Sequence, residues 1–136
     1  MPINTLDHYS IRTADLTATR DFYVDVLGFE VGKRPDFPFP GVWLYQGGIA
    51  VVHVIGIDTA NSSGLQDYLG DRGPADEAGS GMIDHVAFGA TEVDSVRARI
   101  EKAGLTFRER QVPAMSLRQI FVEDPSGITI ELNFAE

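Results

Sequence analysis

An internal repeat constrains this chain more than any other feature in it. The segment LDHYSIRTADL (Leu6–Leu16) returns 77 residues later as IDHVAFGATEV (Ile83–Val93), placing Asp7 over Asp84 and His8 over His85. Such a chain is expected to fold as two similar units that bury their apolar faces together. In each unit a strand pattern leads into a helix pattern. Asp15 and Thr91 stand where an N-cap oxygen is needed, and apolar residues follow at helical spacing: Leu16, Tyr23, Val26 and Leu27, then Val93, Val96, Ile100 and Ala103. Both helices run into a glycine, Gly28 or Gly104, suited to a left-handed C-terminus. Three strand patterns follow in each unit, at 29–33, 42–46 and 49–55 and at 105–111, 117–123 and 128–134. Compact turns, Gly47-Gly48 and Asp124-Pro125-Ser126-Gly127, stand before the last strand of each. The expected fold is therefore α+β: two βαβββ modules within one domain, 1–136. The first module occupies 4–56 and the second 82–136, and 57–81 is a Gly-, Asp- and Ser-rich linker or lid with a short apolar patch at Leu65, Tyr68 and Leu69.

Side-chain alternation along strands then sorts the polar residues. His8 shares a face with Leu6, Ser10 and Arg12, and His85 with Ile83 and Ala87. In the last strand Ile128, Ile130, Leu132 and Phe134 form an apolar side, while Thr129, Glu131 and Asn133 form the other. His53 interrupts the apolar run AVVHVI in the last strand of the first unit, so all three histidines are expected in strands. Taken singly, a histidine in an apolar strand is more often a hydrogen-bonded core residue than a ligand, and a lone glutamate is usually solvated. The repeat changes that weighing. If first and last strands of the two units lie side by side, His8, His53, His85 and Glu131 converge on one concave surface as a divalent-metal site. Asp7 and Asp84 are expected to face away and brace the fold.

Composition excludes several alternatives. The chain has no cysteine, which removes disulfides, thiolate nucleophiles and thiolate metal sites, so a metal must be held by His, Asp or Glu. A formal net charge of -9 makes nucleic acid and anionic membrane poor partners. No apolar stretch approaches the roughly 20 residues of a membrane span, and no secretory pattern opens the chain, so a cytoplasmic location is expected.

Three segments also carry a resemblance: LDHYSIRTADLTATRDFYVDVLGFEV, IDHVAFGATEV and, most specifically, FVEDPSGITIELNF. The chain resembles the vicinal oxygen chelate superfamily over essentially its whole length. That superfamily includes glyoxalase I, extradiol dioxygenases, methylmalonyl-CoA epimerase, and fosfomycin and bleomycin resistance proteins. The resemblance implies paired βαβββ modules forming a curved mixed sheet around a metal-binding cleft, with His8, His85 and Glu131 at three ligand positions. At the fourth, glyoxalase I enzymes usually carry a carboxylate or similar ligand, whereas this chain has His53.

The expected activity is glyoxalase I-like lyase or isomerase chemistry on a small substrate chelated through adjacent oxygens. Four protein ligands (His8, His53, His85, Glu131) on an octahedral Fe, Mn, Ni, Co or Zn ion leave two positions, enough for a bidentate enediolate but not also for dioxygen. Glu131 is the expected proton carrier, by analogy with the family, and His53 a second catalytic candidate. The rival is an iron(II) ring-cleaving dioxygenase using His8, His85 and Glu131 as a facial triad, with His53 hydrogen-bonding bound substrate or oxygen. A third class is a metabolite- or drug-binding resistance protein. Pocket walls are expected from Arg12, Trp43, Tyr45 and Arg118, the two aromatics following the proline-stiffened loop KRPDFPFPG. The assembly is expected to be a homodimer. If its modules are swapped, each site takes His8 and His53 from one subunit and His85 and Glu131 from the other.

Overall fold

The computed structural model describes residues 2, 5–57, 79–81 and 83–136. The expected linker at 57–81, with Leu65, Tyr68 and Leu69, falls for the most part outside the described residues. Each unit has the expected element order. The first comprises β1 (Tyr9–Thr13), α1 (Leu16–Asp21), β2 (Glu30–Gly32), β3 (Gly41–Gln46) and β4 (Ile49–Gly56); the second comprises β5 (Val86–Ala90), α2 (Val93–Lys102), β6 (Arg108–Val112), β7 (Leu117–Glu123) and β8 (Thr129–Ala135). Each sheet is mixed, ordered β1-β4-β3-β2 and β5-β8-β7-β6, with the first and last strands of a unit parallel and the rest antiparallel. No helix among the described residues is long and apolar enough to cross a membrane.

The local signals behave as their chemistry predicts, with two exceptions. Asp15 caps α1, its side chain accepting from the Ala18 N–H at 3.0 Å. Gly47 and Gly48 both take positive φ (57° and 80°), the conformation a two-residue hairpin requires. The first exception is Thr91, which does not cap α2. Glu92 is the N-cap there, in the left-handed region (φ 60°) and without a side-chain cap, so the helix begins one residue later than Thr91 could serve. The second is a π-helical turn at Phe22–Val26 continuing α1. Phe22, Tyr23 and Val26 of this turn are all buried.

One apolar core joins the two units. Ile11, Val42, Leu44, Val52 and Val54 come from the first sheet, Ile120, Val122, Ile130, Leu132 and Phe134 from the second, and Tyr23 and Ile100 from the helical segments. The core-facing sides of both sheets are thus consumed within the chain, leaving the opposite sides open. A polar pin crosses the core. Tyr23 donates to the Asp124 carboxylate at 3.1 Å, so the Tyr9 hydroxyl, 3.1 Å from that of Tyr23, must be the donor to it. Burial raises both phenols well above their ordinary range, keeping them protonated. Asp124 in turn accepts from the Ser126 and Ile128 N–H groups at 2.9 Å each, which shapes the Asp-Pro-Ser-Gly turn before β8.

Asp124 is 4% exposed, and desolvation raises its pKa despite these donors. A folded pKa above the unfolded one favours the native state most below the ordinary carboxylate value, about 3.9, and that contribution fades as pH rises through the raised value. Asp124→Asn keeps acceptors for the turn and cannot ionise. The melting temperature of the parent minus that of Asp124→Asn is therefore expected to fall as pH is raised from 4 toward 7, measured calorimetrically in parallel. Asp124→Ala, which strands the Tyr23 hydroxyl and two N–H groups, is expected to cost about 2–3 kcal/mol in urea unfolding at pH 4, and less as pH rises toward 7.

Candidate metal centre

The side of each sheet turned away from the core carries the donors. Register settles which residues share it: Ser10 of β1 and Trp43 of β3 both oppose His53 of β4, and Ala87 of β5 and Phe121 of β7 both oppose Glu131 of β8. His53 lies within a strand, but His8 and His85 do not. Each precedes its strand by one residue, so the expectation of three strand histidines is corrected to one.

The two repeat histidines have matching surroundings. His8 Nδ1 lies 2.5 Å from an Asp7 carboxylate oxygen, and His85 Nδ1 lies 2.8 Å from Asp84. A carboxylate on Nδ1 fixes that nitrogen as N–H and leaves Nε2 as the lone-pair nitrogen, the way metal-binding imidazoles are commonly oriented. Asp7 and Asp84 are therefore partners of the histidines rather than braces of the fold, a role their adjacency in sequence hides. The Asp84 hydrogen bond, helped by Glu131, raises the His85 pKa. His53 is shifted the other way, by burial first and by the charge of His8 second.

Glu131 is 13% exposed at its side chain, and its Oε1 lies 3.7 Å from His85 Nε2. Its other oxygen ends a hydrogen-bonded row across the sheet. Arg110 Nε donates to Gln119 at 2.7 Å, Gln119 to Asn133 at 2.9 Å, and Asn133 to Glu131 Oε2 at 3.0 Å. The guanidiniums of Arg108 and Arg110 lie 4.6 and 5.6 Å from the Phe121 ring centre on the same face. A groove of about 630 Å³, lined in part by Phe107, Arg108, Phe121 and Thr129, opens beside them.

The first sheet presents stacked rings. His8, His53 and Trp43 lie face to face, with centroids 3.7 and 3.8 Å apart, and Phe37 approaches Trp43 at 6.2 Å. Arg12 is on this face, two residues beyond Ser10. Tyr45 is not beside the histidines: its hydroxyl donates to the Lys33 carbonyl and its ring covers Gly32 of the edge strand β2. Arg118 is not on the Glu131 face. Alternation turns it to the side of Ile120 and Val122, where it pairs with Glu136 at 2.7 Å and Glu109 at 3.5 Å. Arg110 holds the place on the Glu131 face that Arg118 was expected to fill, and only the β6–β7 register reveals it.

The donors thus form two pairs, His8 with His53 and His85 with Glu131. Among the described residues no three His, Asp or Glu side chains come together as a metal-binding group. The His85–Glu131 pair suits a divalent ion, an imidazole oriented by Asp84 beside a shielded carboxylate, and His8 offers a second imidazole oriented by Asp7.

Comparison with known proteins agrees with this architecture. A curated relative in Arabidopsis thaliana, named "Glyoxylase I 4", is 25% identical over 96% of this chain and 70% of its own length. A Synechocystis protein named "Probable lactoylglutathione lyase" is 28% identical over 92% of this chain and 91% of its own. Among solved structures, the fosfomycin resistance protein FosX from Listeria monocytogenes, in a mutant form complexed with Mn(II) and 1S,2S-dihydroxypropylphosphonic acid, superposes with a TM-score of 0.71. It is 18% identical, with 98% of this chain and 94% of that one covered. The profile of the Glyoxalase/Bleomycin resistance protein/Dioxygenase superfamily matches residues 5–132, nearly the whole span of both modules, and the chain belongs to that superfamily.

Proposed function

We propose that this chain is a divalent-metal-dependent enzyme acting on a small substrate with two adjacent oxygens, by glyoxalase I-like lyase or isomerase chemistry. The observation that carries the reading is the matched Asp7–His8 and Asp84–His85 pairs at the starts of β1 and β5, the second beside Glu131. His8, His85 and Glu131 would hold an Fe, Mn, Ni, Co or Zn ion. When bound, such an ion supplies Lewis acidity and a template for both substrate oxygens. Glu131 moves the proton between adjacent carbons, and Asn133 holds its Oε2 so that Oε1 keeps one orientation. Arg12, Arg108 and Arg110 put cations on the donor faces of a chain whose net charge is -9, which suits an anionic substrate. The relatives named as glyoxalase I and lactoylglutathione lyase support this chemistry.

We place each complete site between two copies of the chain, His8 and His53 from one subunit meeting His85 and Glu131 from the other. The separation of the donors into two pairs supports this, as does the burial of both core-facing sheet sides within one chain.

A second reading has its own support. Two imidazoles and one carboxylate also suit iron(II) with room for a bidentate catechol and dioxygen. The deciding experiment is metal content after purification without chelator, followed by hemithioacetal isomerisation and catechol-dependent oxygen uptake. Oxygen-independent isomerisation is the expected result. Iron with oxygen consumption matched to catechol would replace the lyase reading by the dioxygenase one. A protein that takes up no metal and binds small molecules without turnover would overturn both in favour of a sequestering resistance protein.

A further inference from the structure

His53 has both faces covered and one nitrogen engaged. Trp43 and His8 stack on it at 3.8 and 3.7 Å, with interplanar angles of 10° and 13°. A five-membered ring cannot take two such neighbours on one face, so His53 lies between them. Imidazole binds a metal through a lone pair in the ring plane, at about 2.0–2.1 Å. An ion in the plane of His8 therefore stands a stacking distance from the plane of His53, well beyond that bond length. No single position serves both rings. In addition, His53 Nε2 lies 3.1 Å from the Ala50 carbonyl oxygen, which can only accept, so Nε2 carries the hydrogen and donates it.

We infer that His53 is not a metal ligand but a positioning residue, which sets the rotation of the His8 ring by stacking on its face. His8 needs such a support. It stands one residue before β1, outside the ladder, and the Asp7 that holds its Nδ1 is itself 87% exposed. His53, by contrast, sits mid-strand between paired neighbours on β1 and β3. The protein's donor set is then two imidazoles and one carboxylate, leaving three positions on an octahedral ion rather than two. This rests on the reading that His8, His85 and Glu131 hold a divalent ion, and it removes the count of open positions as a ground for preferring lyase to oxygenase chemistry.

The test uses the full chain and two metal probes. Co(II) is titrated into the parent, His8→Ala, His53→Phe and His53→Ala, following visible absorption and the fluorescence of Trp43, the single tryptophan of the chain. His53→Phe keeps a ring in the stack without ring nitrogens, and is expected to bind Co(II) within about threefold of the parent and with the same visible spectrum. His53→Ala removes the support and is expected to weaken binding about 10- to 100-fold, as loss of an orienting neighbour does. His8→Ala is expected to lose more. Zn(II) titrated into the 15N-labelled parent is expected to move the Nε2 resonances of His8 and His85 and to leave both His53 nitrogens in place, a reading that needs no variant to fold. A His53→Phe loss equal to that of His8→Ala, or a metal-induced shift at a His53 nitrogen, would make His53 a ligand and overturn the inference while the metal reading stands. Binding by His53→Ala as tight as the parent's would overturn the positioning role. A parent that binds neither ion overturns both together.

Discussion

Glu131→Gln is expected to lower metal affinity by more than about 100-fold, because even outer-shell partners of a metal ligand are worth 10- to 100-fold. The change is nearly isosteric and leaves an oxygen for Asn133, so the fold is expected to survive it. What it removes is the charge. Two neutral imidazoles and an amide form a much weaker set for a divalent ion than two imidazoles and a carboxylate. Saturating metal should restore occupancy but not rate: a carboxylate that carries a proton in the reaction contributes about 10²- to 10⁴-fold, and the amide cannot replace it. Asn133→Ala provides the contrast. It leaves the carboxylate in place but frees its Oε2, and is expected to cost about tenfold in affinity. Metal titration by calorimetry, then initial rates at saturating metal, separates holding the ion from moving the proton. Unchanged affinity and rate in Glu131→Gln would remove this residue from the site.

The side of the sheet on which Glu131 lies was legible from alternation alone, since Ile130, Leu132 and Phe134 could only point to a core. The repeat likewise disclosed the element order, because each half carries the same strand, cap, helix and glycine signals. Other features could not be read this way. Arg110 looks no more suitable than Arg118 along the chain, and only the antiparallel register of β6 on β7 places it beside Gln119 on the Glu131 face. The partnership of Asp7 with His8 depends on the chain leaving strand geometry at that point, so that neighbours pointing to opposite faces of a strand can instead hydrogen-bond each other. The π-helical turn at Phe22–Val26 has no counterpart in the apolar spacing, which Leu16, Tyr23, Val26 and Leu27 satisfy as an ordinary helix. Least legible is whether the two modules of one chain complete one site, since either arrangement uses the same local motifs.

That arrangement is the subject of the largest qualitative effect expected here. His8→Ala and Glu131→Ala are each expected to be devoid of metal and activity as pure proteins. If every site takes His8 from one subunit and Glu131 from the other, a mixed dimer contains one site lacking both residues and one lacking neither. Equal mixing with free exchange makes half the dimers mixed, so metal content and activity are expected to recover to about a quarter of the parent's. Recovery should follow the rate of subunit exchange, and dilution of the parent to monomers should release its metal. Complementation cannot arise when all ligands come from one chain, because each polypeptide in the mixture then still lacks one of them. The metal assay makes this result independent of the substrate. Zero recovery, with subunit exchange demonstrated by a tagged copy, would place all the ligands within one chain and require His8 and the His85–Glu131 pair to be brought together by a rearrangement of the modules.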